Sequence, residues 1–78
     1  MNKEEYAYVQ LCASEVSLAA ESYFVRHGYP DNDDVLKAST EAIRYLLGVR
    51  AYDSIQAVRA EDGMKPLSLS KREFLEFM

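Results

Sequence analysis

The side chains able to do covalent chemistry are few and far apart. Cys12 is the single thiol and His27 the single imidazole of the chain. A nucleophile needs a base within hydrogen-bond reach, yet on one helix these two would stand about 22 Å apart along the axis. A catalytic dyad or triad is therefore not expected, and one Cys with one His falls short of a zinc ligand set. His27 fits the last turn of a helix, where the dipole favours a partly charged imidazole. Cys12 lies at helical spacing from Val9, Ala13 and Val16 and reads as a small buried hydrophobe.

The run Asp31-Asn32-Asp33-Asp34 starts like a calcium loop, but its later positions fail. Val35 falls where the fifth position needs a ligand, Leu36 where the turn glycine belongs, and Ala42 where the closing glutamate belongs. Helix capping accounts for these acids better. Three scattered glycines provide no loop that could cradle a phosphate. The chemistry-bearing residues thus lead to an expectation of no enzyme activity, no metal ion and no cofactor.

Charge narrows the partners. Thirteen acids against nine bases leave a net charge of −4, which discourages attraction to phosphate backbones or anionic lipid. The longest uncharged stretch, Tyr6 to Ser14, covers nine residues, where a spanning helix needs about twenty. Met1-Asn-Lys-Glu-Glu leads into no apolar run, so no secretory leader is expected. A lone cysteine fits a reducing compartment, and a cytoplasmic location follows as the expectation.

Only three glycines and two prolines interrupt 78 residues, which argues against an all-β fold and for an all-α one. Four helices are predicted, over about 3–27, 33–47, 54–61 and 70–78. Asn2 caps the first, with Glu5 placed to complete a capping box; Gly28 and Pro30 end it. Asp31-Asn32-Asp33 opens the second. At Gly48 two signals compete. The series Val35, Ala38, Ala42, Tyr45, Val49, Tyr52 runs straight through it, but Asp53 with Gln56 looks like a fresh cap, so a break is predicted between Gly48 and Asp53. Met64 to Leu69 contains Pro66 and reads as an extended connector. Ser70-Lys71-Arg72-Glu73 is a capping box, with Leu69 and Phe74 as its hydrophobic staple. The short link from Gly28 to Asp33 makes the first two helices an antiparallel hairpin. The expected whole is a small helical bundle, its two short C-terminal helices folding over that hairpin or reaching a second subunit.

At 100° per residue the first helix carries two apolar stripes. Tyr6, Val9, Cys12, Ala13, Val16, Ala19, Ala20, Tyr23 and Phe24 share one broad face, and Ala7, Leu11, Leu18 and Val25 gather nearly opposite. A helix on the outside of a monomer needs one stripe. The second stripe is covered by this chain's own C-terminal segment or by another molecule. Six tyrosines add amphipathic side chains suited to interfaces; Tyr23 and Tyr45 read as boundary residues of the core, Tyr8 and Tyr29 as exposed anchors. The expected interface comprises Tyr8, Leu11, Glu15, Leu18, Val25, Tyr29 and Tyr52. The expected function is non-catalytic binding to another protein, as a small acidic inhibitor, adaptor or chaperone-like factor whose partner presents a basic surface. A chain this small commonly gains burial by self-association, so a homodimer is expected. The alternative is a helix-turn-helix DNA-binding regulator reading the groove with Lys71 and Arg72, although the spacing and the acids Glu73 and Glu76 weigh against nucleic acid.

Overall fold

The computed structural model describes residues 1–78 and is all-α, with three helices and no strand. α1 spans Lys3–His27, α2 spans Asp33–Glu61 and α3 spans Lys71–Phe77. No helix is long and apolar enough to cross a membrane. The caps read from the sequence are formed. Asn2 Oδ1 accepts from Glu5 N at 2.8 Å and the Glu5 carboxylate accepts from Asn2 N. Gly28, at φ 91°, donates its N–H to Phe24 O, a backbone state that costs glycine little. Asn32 Oδ1 accepts from Asp34 N and Val35 N.

α1 and α2 lie side by side and run in opposite directions. Arg59 near the end of α2 meets Glu4 at the start of α1, 2.6 Å apart, while Ala19 and Tyr23 face Ile43 and Leu46. A helix of 29 residues is about 43 Å long, and the molecule is correspondingly drawn out to 47 × 20 × 17 Å. Its radius of gyration is 14.3 Å, against about 11.5 Å for a compact domain of this length.

The break expected between Gly48 and Asp53 does not occur, so the predicted helices over 33–47 and 54–61 are one, and the two short C-terminal helices reduce to α3 alone. Gly48 has another task. A Cβ built there would overlap Leu75 Cδ2 and come within 2.9 Å of Met78 Cε, so the missing side chain is what lets α3 approach α2. Asp53 and Gln56, taken as a cap, instead make tertiary contacts. Asp53 pairs with Lys71 at 2.8 Å, and Gln56 Oε1 accepts from Leu67 N at 2.9 Å. These partners come from far along the chain, beyond the reach of a local reading.

The core gathers where α1, the second half of α2 and the C-terminal segment meet. Val9, Cys12, Tyr52, Leu67, Leu69 and Phe74 form it, with Phe74 fully enclosed. The connector over 64–70 pairs with no strand, so side chains satisfy its backbone. Arg59 Nε donates to Lys65 O at 2.8 Å. Tyr52 Oη donates to Leu69 O at 2.7 Å and accepts from Gln56 Nε2. The buried Glu5 carboxylate accepts from Ser68 Oγ at 2.7 Å and from Leu69 N at 3.0 Å. The Ser70–Glu73 capping box then starts α3, and its staple residues Leu69 and Phe74 are both buried.

The Ser68 hydroxyl, more than any other contact, draws the Glu5 carboxyl below its ordinary value; burial opposes it, and the Leu69 and Asn2 amides add to the lowering. A carboxyl whose pKa falls on folding lends stability above its unfolded pKa and loses it as the pH drops through the lower folded value. Glu5→Gln is expected to lower the unfolding free energy at pH 7 by about 1–3 kcal/mol. In urea titrations the gap from the unaltered chain should narrow as the pH falls below about 4. Gly48→Leu is expected to lift α3 from α2 at a cost of about 1–3 kcal/mol, read as a lower urea midpoint and faster hydrogen exchange at the Phe74 amide.

Candidate functional site

From Leu67 onward the C-terminal segment covers one side of the α1–α2 pair, while Asp62 and Met64 border only the far end of the other side, which is otherwise open. α3 sits against Gly48 and Tyr52, and Leu46 and Arg50 lie about 160° round α2 from Gly48. On the open side three depressions follow one another between the helices. Ala19, Tyr23, Ile43, Leu46, Leu47 and Arg50 line the first. Leu11, Cys12, Glu15, Val16, Ala19, Leu47 and Ala51 line the second, and Tyr8, Ser54, Ile55, Val58, Arg59, Asp62 and Met64 the third. Ala19 and Leu47 are common to the first two, and Ile55 stands one turn beyond Ala51, so the three form one groove along the pair.

Spacing explains why the residues converge. On α1, Tyr8, Leu11, Glu15, Ala19 and Tyr23 recur every three or four positions and share a face; on α2, Ile43, Leu47, Ala51 and Ile55 do the same. Small side chains at Ala19 and Ala51 let the groove floor lie deep, while Leu11 (61% exposed) and Leu46 (59%) stand on its margins. The margins also carry Glu15 and Arg50, one acid and one base. Such a surface can bury apolar area and match charge. It offers little for covalent chemistry. Burial pushes the Cys12 thiol up, with the Glu15 charge adding to the effect, so the reactive thiolate is disfavoured. The His27 ring lies against Tyr23 at 4.6 Å, well removed from that thiol.

The expected interface residues divide. Leu11 and Glu15 line the middle of the groove. Tyr8 lines its far end, half-buried, with its hydroxyl donating to Glu4 at 2.8 Å. Leu18 and Val25 stand on the outer side of α1, exposed but away from the groove. Tyr29 is exposed and stacks on Phe24, ring centroids 5.4 Å apart. Tyr52 is corrected outright: it is 9% exposed and part of the core, because its hydroxyl holds the connector. Tyr23 and Tyr45, expected at the core boundary, are exposed. Ile43, Leu46, Leu47, Ile55 and Val58 line the groove but lie outside the expected interface. Their signal was an apolar face covering more than half of α2, wider than one packed neighbour needs.

Of the two helices considered for DNA reading, the first is the second half of the continuous α2 and the second is α3. Lys71 is engaged by Asp53 and Arg72 lies 3.5 Å from Glu76. Comparison with protein-family models, curated proteins and solved structures finds no match to this chain. Since Leu18 contributes to neither core nor groove, Leu18→Glu is expected to change the unfolding free energy by no more than about 0.5 kcal/mol. Phe74→Ala should cost about 3–5 kcal/mol; urea unfolding at fixed protein concentration compares them.

Proposed function

We propose that the chain is a non-catalytic protein-binding module, of the acidic adaptor, inhibitor or chaperone-like kind, in which the α1–α2 hairpin presents the open groove to a partner. The observation that carries this reading is the groove itself: apolar side chains from two helices aligned over several turns, left open by the segment that roofs the opposite side along the two depressions between Leu11 and Tyr23. Leaving Leu11, Tyr23, Leu46 and Val58 more than half exposed forgoes hydrophobic stabilisation that a partner's surface would restore. Charged side chains on the groove margins, Glu15 and Arg50, would set the register of the partner, and the apolar contacts would hold the complex. A soluble, cytoplasmic site of action fits this use.

The test places a photo-crosslinking amino acid at Leu46 in the groove and, separately, at Glu73 on the covered side. In the native cell the first position is expected to give a discrete protein adduct and the second none. No adduct from Leu46, or equal adducts from both positions, would overturn the reading.

A further inference from the structure

We infer that the occupant of the groove is a second copy of this chain, laid face to face with the first about a two-fold axis parallel to the helices. The inference rests on the protein-binding reading and names its partner. Surface area supplies the first argument. A compact monomer of 8.9 kDa exposes about 4,800 Å². This chain exposes 5732 Å², an excess of about 900 Å². A standard stable interface removes about 800 Å² from each partner, so a single contact of ordinary size returns the chain to the exposure of a compact molecule.

Charge supplies the second. Glu15 on α1 and Arg50 on α2 stand on opposite margins of the groove at one level, both beside Leu47. Neither belongs to an ion pair within the chain, whose pairs are Glu41–Arg44, Glu4–Arg59, Asp53–Lys71 and Arg72–Glu76. Rotation about an axis along the groove lays α1 of one copy over α2 of the other. Each Glu15 then faces the other copy's Arg50, and one patch satisfies itself twice, as a two-fold contact requires. The stacked helices run antiparallel, and the two hairpins become the layers of a four-helix bundle with Leu11, Ala19, Leu46 and Leu47 inside.

Sedimentation equilibrium of the full chain tests this. The expected mass is twice that of the chain, and Arg50→Glu or Glu15→Arg should each raise the dimer dissociation constant by at least about tenfold by setting like charges opposite each other. The double exchange, Glu15→Arg with Arg50→Glu, should recover most of the loss. Arg72→Glu makes the same charge change on the covered side and should leave the mass unaltered. Circular dichroism establishes that each variant keeps its helices. A chain that sediments as a monomer up to millimolar concentration overturns the proposal, as does a dimer indifferent to both single exchanges. A Leu46 adduct with a different protein, from a chain that is itself monomeric, overturns the self-pairing and leaves the protein-binding reading standing. The absence of any adduct removes both.

Discussion

Burying an ionised carboxylate at Glu5 is tolerable only because hydrogen-bond donors surround it. The Asn2 amide comes from its own helix cap; the Ser68 hydroxyl and Leu69 amide come from the other end of the chain. One side chain thus closes a capping box and anchors a connector that has no strand to pair with. Around it, Tyr52, Gln56 and Arg59 hold the rest of that connector, and Leu67 and Leu69 are pressed into the core. Were the carboxylate absent, the buried Leu69 amide would lack an acceptor, and the last segment would lose its register on the two long helices.

The direction of that anchoring decides the shape of the surface. The connector and α3 roof one side of a two-helix layer about 43 Å long, over part of its length. They are drawn to the side bearing Glu5, Gly48 and Tyr52. The groove along Leu11, Ala19, Leu47 and Ala51 is what remains. The open face is therefore a consequence of where the polar anchors lie, since apolar residues are available on both sides.

Gly48 shows how a local signal can carry a tertiary meaning. A glycine in the middle of a helical pattern weakens it by about 1 kcal/mol relative to alanine, and a cap-like Asp–x–x–Gln beyond it suggested a new start. The apolar series through Tyr52 outweighs that cost once α3 packs on the bare backbone. The Leu11–Leu18–Val25 stripe divides for a similar reason. Leu11 lines the groove with Leu47 and Ala51, whereas Leu18 and Val25, one and two heptads further along α1, are exposed and line none of its depressions.

The amino-acid sequence on its own determined the all-α class, the extent of α1, the caps at Asn2 and Ser70, a helix start at Asp31-Asn32-Asp33, the staple of Leu69 and Phe74, and an excess of apolar faces. All of these depend on residues within one or two helical turns of each other, so their physics is complete in a short window. The unbroken α2, the burial of Tyr52 and the choice of which apolar face stays open were settled only by tertiary structure. Each turns on contacts between residues far apart in the chain, such as Glu5 with Leu69 and Gly48 with Leu75, and no spacing rule anticipates which distant partner a side chain will meet.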